Sequence, residues 1–586
     1  MRKLRTGIVL ALWGAALALF ALSCQGVERV DDVGGDGGAD GDGDTDADTD
    51  ADADSDSDGD TDTGYTGPTI PTTCEQAAEE HGSVGCEFFA ADLENFGSIN
   101  GMPFSIVVSN PQASGVANVH IEDMRGDGGT LRTVPGLEIA LEAGQLQVFN
   151  VTCNSADECP VIDTGMNPLG QKVHIEETGR RDLSAFRVVS DVPIAAYQWN
   201  TYGETMDSSD ASLLLPVTAL TEEYLGATWW SGYETASDTD LPDANGYSRG
   251  ELTIVAVADG TEVSFTPTVP VDPAADGTIP AMSAGVESGL IAMNAFDVVQ
   301  ISPAEMDADL SGTHITANQP IVVFGTHPCA NAPSPEWFAC DHIEEQILPL
   351  KAWGTDAVLA RYAPRADLTS DQDQPVWRIV AGAANMTVAF DPPVDGVGAS
   401  HHFAAQGQVL EFMSPLSHYA SGTLDDPPDP EEPGAPFFAY QMMTGRFWVH
   451  DQAGMPLTTE YQWGDPFMAL APPAGQYLNR YVFTTDNVFD FAYDHIVVVR
   501  QAGHAVNLDC LGDLPDDGFT TVGSTSWQVG WFDIDNPDGA AGCTDGAHDI
   551  TSDASFGLTV VSEDTALSVG YPGGVGVSWI NPIVPE

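Results

Sequence analysis

Short runs of alternating apolar and polar residues, closed by glycine, asparagine or proline, make up most of the chain after residue 74. IVAVADGTEVSF (254–265), IVAGAANMTVAF (379–390) and VVVRQAGHAVNL (497–508) have this form, as does the longer-looped SIVVSNPQASGVANVHI (105–121). Each reads as a β-hairpin, because side chains on a strand alternate between faces and the turn residues let the chain reverse. Sustained helical periodicity is absent outside the N-terminal segment. Val119, Val263, Val388 and Val506 hold equivalent places in these hairpins, 144, 125 and 118 residues apart.

Two further elements keep step with the hairpins. One is a polar turn, a proline and an apolar strand: SDVPIAAYQW (190–199), ANQPIVVFGT (317–326), GAPFFAYQMM (434–443) and SEDTALSVGY (562–571), anchored at Pro193, Pro320, Pro436 and Thr565. Proline suits the first residue of a strand, where its missing N–H costs no ladder bond. The other is LLLPVTALTEEYL (213–225), QILPLKAWGTDAV (346–358) and MALAPPAGQYLNR (468–480), which follows the proline strand each time. Three element types recurring in one order predict an all-β domain, 74–586, built from four tandem repeats of about 120 residues. A β-propeller-like ring would hide strand edges and is favoured over a row of β-sandwich modules. Pairing of CEFFAADL (86–93) with VGVSWINPI (575–583) would close such a ring.

The N-terminus has a different character. Arg2, Lys3 and Arg5 precede an apolar run from Gly7 to Leu22, the layout of a secretory signal over 1–23. Ala21-Leu22-Ser23-Cys24 resembles a bacterial lipobox, which implies cleavage before Cys24 and acylation of that residue. Gln25 is not the aspartate that signals inner-membrane retention, so the expected location is the outer membrane or cell surface. Residues 24–73 then read as a tether. Fifteen aspartates alternate with Gly, Ala, Ser and Thr over 31–64, a composition that cannot bury enough apolar surface to order itself. At a ceiling of about 3.5 Å per residue it reaches on the order of 100 Å. Asp54-x-Asp56-x-Asp58-Gly59 matches the start of an EF-hand loop, but Tyr65 stands where the bidentate glutamate belongs. Loose Ca²⁺ association is the most this segment supports, and no other cofactor is expected.

Charge narrows the partners. Against 88 Asp and Glu the chain has 18 Lys and Arg, a formal net charge of −70. No basic stripe exists to neutralise phosphates, which argues against nucleic acid, and membrane attachment would rest on the N-terminal lipid. Beyond Cys24 the cysteines fall into neighbouring couples: Cys74 with Cys86, Cys153 with Cys159, Cys329 with Cys340, and Cys510 with Cys543. In an exported chain these predict four local disulfides.

The stretch GTHPCANAPSPEWFACDHIEEQ (325–346) concentrates candidate chemistry. It reads as a stapled connection between the second and third repeats. His327, Asp341, His342, Glu344 and Glu345 are the weak metal-ligand candidates, but HExxH and HxxEH are absent and DHIEE supplies only one histidine. No GxSxG elbow, Walker loop or Rossmann fingerprint occurs. His401-His402 reads as a solvated loop pair. Trp229-Trp230 and Trp337-Phe338 suit core packing at strand ends better than ligand display.

Residues 313–361 resemble the IgGFc-binding domain family, through a strand of the form I-x-S/A-x-x-P-I-x-V, a cysteine loop with A-C-D-H-x-x-E-Q, and the LP-x-x-x-W/L-G element. The resemblance covers about 180–510, and GCEFFAADLEN (85–95) is similar to a lead-in of bacterial members. It implies an exported surface protein, as bacterial members look to be; no residue carries over as an Fc contact. The expected function is a surface-anchored lipoprotein displaying a binding or adhesion domain for protein or glycan partners. The alternatives are an exported metal-dependent hydrolase using the 327–345 loop and a passive structural envelope protein.

Overall fold

Turn-bounded apolar runs become strands throughout the structure, a computed structural model describing residues 70–95, 104–126, 129–152, 177–202, 208–233, 247–337, 339–366, 368–427, 434–454, 463–486, 489, 491–535 and 543–583. The signal, Cys24 and the Asp-rich tether lie outside these residues. So does the expected disulfide between Cys153 and Cys159: both Cys153 and Cys159 fall outside the described residues. Strands dominate; the α-helices among the described residues are Cys74–Glu80 and Arg446–Ala453.

Among the described residues one plan occurs four times, a pair of antiparallel sheets per repeat. In the third repeat the first sheet runs, from its innermost edge, Met468–Ala471, Phe437–Met442, Val376–Ala381 and Val409–Met413. The second runs Asp356–Leu359, His418–Leu424, Met386–Val394 and Gly398–Phe403. The hairpin splits across the pair, one arm in each sheet. This follows from alternation, since each arm can then turn one face to the apolar layer between the sheets. Val119, Val263, Val388 and Val506 all begin or lie near the start of the second arm, and all are buried. Trp377, Ile379, Met386, Phe390, Phe412 and Phe437 fill the layer around Val388. Side chains of this size contribute roughly 1.5–3 kcal/mol each on full burial.

The proline strands of the first three repeats correspond as expected, each pairing with the first hairpin arm. The fourth assignment is corrected. Thr565 lies in the turn 565–566, and Leu567–Pro572 is the innermost strand of the fourth repeat, equivalent to Asp210–Leu213 rather than to the strand after Pro193. The true equivalent is the second half of Ala547–Asp564, a single strand that pairs with Val506–Leu508 and then with Tyr493–Gln501. In the first repeat Phe186–Asn200 crosses between sheets in the same way, with Pro193 at the crossing. The fourth repeat crosses without a proline, so nothing in its sequence marks the join. His401 and His402 are likewise in a strand, Gly398–Phe403, where His402 Nε2 lies 2.9 Å from Asp425 Oδ2.

The two ends of the repeated domain meet, slightly earlier in the chain than expected. Val577 N–H donates to His81 O at 2.6 Å and Ser83 N–H to Val575 O at 2.8 Å. Strand Gly85–Ala90 itself pairs with Phe186–Asn200. The C-terminal segment continues across the short turns between repeats: Gly576 N–H reaches Gln476 O at 2.8 Å and Asn581 Nδ2 reaches Leu350 O at 2.7 Å. The paired sheets of each repeat are sandwich-like, and the meeting of the ends is what ring closure requires.

Candidate functional site

The innermost strands are Asp210–Leu213, Asp341–Gln346, Met468–Ala471 and Leu567–Pro572. Each is the edge of its sheet, so its outward N–H groups have no ladder partner, and burying them unpaired would be costly. Side chains from neighbouring repeats supply the acceptors. The carboxylate of Asp210 accepts from Met468 N at 2.9 Å, Glu344 N at 3.2 Å, Gly570 N at 3.2 Å and Ala211 N at 2.9 Å. One side chain thereby binds all four inner strands. Glu345 Oε1 accepts from Leu470 N at 2.9 Å, Ser212 Oγ from Gln346 N at 2.7 Å, and Gln346 Oε1 from Leu215 N at 2.9 Å.

The candidate residues of 325–346 are part of this hub. His327 lies in strand Ile321–Ala330, and Asp341 to Glu345 lie in the inner strand itself; only 331–340 is a loop, closed by Cys329–Cys340. This corrects the reading of the whole stretch as a connection. Burial pushes the His327 imidazole down to about 3, so it is neutral. Its Nε2 lies 3.2 Å from Trp230 O and its Nδ1 accepts from Cys329 N at 3.1 Å. Asp341 Oδ1 accepts from Ser209 N at 3.0 Å, and His342 Nε2 lies 3.2 Å from Glu344 Oε2, which also accepts from Gln198 Nε2 at 3.3 Å. The five residues therefore serve different backbone and side-chain partners and do not converge on one point. Burial raises the carboxyl groups of Asp210, Asp341, Glu344 and Glu345 well above the usual range, and neighbouring carboxylates add to it: Asp465 at Asp341, and Asp210 at Glu344 and Glu345. The chemistry this supports is adhesion between repeats.

Among the described residues, His/Cys/Asp/Glu side chains gather within ligand distance at Asp509, Cys510 and His548, where Cys510 is bonded to Cys543. Cys74–Cys86 is also formed, with Cα atoms 5.7 Å apart. Three of the expected pairs are thus present, and the fourth, Cys153 with Cys159, belongs to the residues not described. Trp229 is buried, its Nε1 donating to Asn331 O at 2.7 Å, whereas Trp230 and Trp337 are half-buried. Sequence reasoning did not single out Asp210, Arg378 or Trp448. For Asp210 a signal existed, since SSDASLLLP precedes its proline as DHIEEQILP precedes Pro349.

Connections between the proline-type strand and the inner strand differ in length among repeats: 201–209, 331–340 and 443–467 are long, and 565–566 is a bare turn. The second and third touch, through Gly445 N–H to Ala332 O at 2.9 Å and a Trp337–Trp448 edge contact with centroids 4.8 Å apart.

A family model described as IgGFc binding protein matches residues 210–562, more than half of the chain. The match begins inside the 180–510 stretch of the resemblance and runs beyond its C-terminal limit. The human IgGFc-binding protein is 27% identical over 160 residues, 27% of this chain and 2% of the human protein's length. The chain therefore spans a small fraction of that relative. From the inner strand at Asp210 to the crossing strand of the fourth repeat, the chain belongs to the IgGFc binding protein family.

Proposed function

We propose that this protein is an exported, lipid-anchored surface protein whose repeated β domain binds an extracellular protein without catalysing a reaction on it. The observation that carries the binding reading is the family match, which covers three of the four inner strands and the second and third long connections. The residues a hydrolase would need at 327–345 are engaged in holding strands. Cys24 supplies the anchor through acylation, and the Asp-rich segment links it to the domain. Immunoglobulin Fc, which gives the human relative its name, is one protein to test, and glycans are the competing ligand class.

Binding is tested by presenting the purified mature chain to an array of immunoglobulin Fc, other extracellular proteins and glycans. Saturable binding to a protein at micromolar or lower concentration supports the reading; absence of any protein partner sinks it. The anchor is tested separately. Cys24→Ala leaves the chain in the soluble fraction if the lipid holds it, and continued membrane association refutes that part.

A further inference from the structure

The contact between the second and third long connections builds a feature that hub architecture does not need. Loop 331–340 is held at several points. Cys329–Cys340 closes its base, Trp229 Nε1 donates to Asn331 O, and Pro335 packs where a side chain at Gly232 would stand, 2.8 Å from that position's ideal Cβ. Helix Arg446–Ala453 is fixed from the other side. Its first residue is tied to Asp465, through Arg446 N to Oδ1 at 3.1 Å and Nη1 to Oδ2 at 2.9 Å, and Gly454 caps its C-terminus in the left-handed conformation. The product is a pair of perpendicular indoles, Trp337 and Trp448, neither of them fully buried, with half-buried Phe447 beside Trp448. Unlike Trp199, Trp229, Trp353 and Trp377, which are fully buried, both rings keep part of their surface open to a partner.

Rigid, partly exposed tryptophans make strong protein contacts, because they offer large area and lose little conformational freedom on binding. The charges around them select the partner. Glu336 precedes Trp337 and is exposed; Asp451 is exposed on the helix that carries Trp448. The one arginine of that helix, Arg446, is already paired with Asp465. A cationic side chain placed over an indole face with a carboxylate alongside gains from both.

We infer that the Trp337–Trp448 ridge is a docking site for a basic segment of a protein partner, whose arginine or lysine side chains lie over the indoles and against Glu336 and Asp451. The inference rests on the binding reading above and specifies its surface. The probes are a twelve-residue peptide alternating arginine with leucine, the same peptide with glutamate for arginine, and a neutral oligosaccharide panel, each titrated against the mature chain. The arginine peptide binds, the glutamate peptide does not, and W337A/W448A lowers affinity about tenfold or more. E336Q/D451N weakens binding and its salt dependence. W337F/W448F, which keeps the packing, loses less than the alanine pair. Equal affinity of W337A/W448A and wild type overturns the site, since attraction would then be diffuse, and so does no binding of the arginine peptide or a ridge-dependent response to oligosaccharide alone. If an array protein binds wild type and W337A/W448A alike, the ridge is refuted and the binding reading stands; an array with no protein partner refutes that reading itself.

Discussion

Asp210 accepts a backbone N–H from Gly570 at 3.2 Å, across 360 residues of chain. The same carboxylate holds Met468 and Glu344, so the inner edges of the other three repeats converge on one side chain. Asp210→Ala leaves these buried N–H groups without acceptors. Each such loss costs roughly 1–3 kcal/mol, so the variant is expected to lose several kcal/mol in chemical denaturation. Asp210→Asn keeps one acceptor oxygen and turns an NH₂ toward other donors, and it should fall between. An alanine variant as stable as wild type would remove the hub from the account.

The raised carboxyls of Asp210, Asp341, Glu344 and Glu345 set a pH dependence. Their folded forms hold protons more tightly than the unfolded chain, whose carboxyls titrate near 4. The stabilisation from these groups is therefore complete below about pH 4 and is lost as pH rises through the raised values. Asp373 works in the opposite sense: Arg365, forked onto it at 2.7 and 3.0 Å, holds it low despite its burial, so its contribution is present above its unfolded value and fails in acid. Above the range in which Asp373 titrates, melting temperature should fall with increasing pH, and Glu344→Gln should flatten that slope. A Glu344→Gln slope identical to wild type would show that the hub carboxyls do not titrate in this way.

Arg378 joins the second and third repeats. It is fully buried, ion-paired with Asp309, within 2.6 Å of Thr228 O and 2.9 Å of Tyr440 Oη, and its guanidinium lies 5.1 Å from the Trp229 ring centroid. Removing one partner of a buried pair is costly because the other charge stays behind. Arg378→Ala is expected to destabilise by roughly 3–5 kcal/mol, and adding Asp309→Asn should recover part of it. Additive losses in the double-mutant cycle would contradict the pairing.

Gly312 and Gly407 bring those two repeats into backbone contact. Gly312 has φ +83°, and a Cβ there would stand 1.9 Å from Gly407 O. A left-handed conformation costs an L-residue roughly 1–2 kcal/mol before any overlap, so Gly312→Ala should lose about 2 kcal/mol or more by calorimetry. Gly260→Ala, at φ +75° with open space around it, should lose only the conformational part.

Hairpins and turns were legible because their causes are local: alternation decides which residues face the core, and glycine, asparagine and proline mark where the chain reverses. The equivalence of Val119, Val263, Val388 and Val506, and the first three proline strands, follow from that alone. The fourth was misplaced because Ala547–Asp564 crosses between sheets with no proline to mark the place, leaving the apolar run after Thr565 as the nearest imitation.

What the amino-acid sequence determined by itself is therefore the repeated strand pattern, the pairing of neighbouring cysteines seen at Cys74–Cys86, Cys329–Cys340 and Cys510–Cys543, and the family resemblance of the DHIEEQ motif. Tertiary structure decided what that motif is for. In sequence, Asp341 and Glu345 read as weak metal-ligand candidates and Asp210 does not stand out, because nothing local calls for a buried acceptor. Only when strand edges from distant repeats meet away from water do unpaired N–H groups create that demand, and carboxylates become the means of joining them.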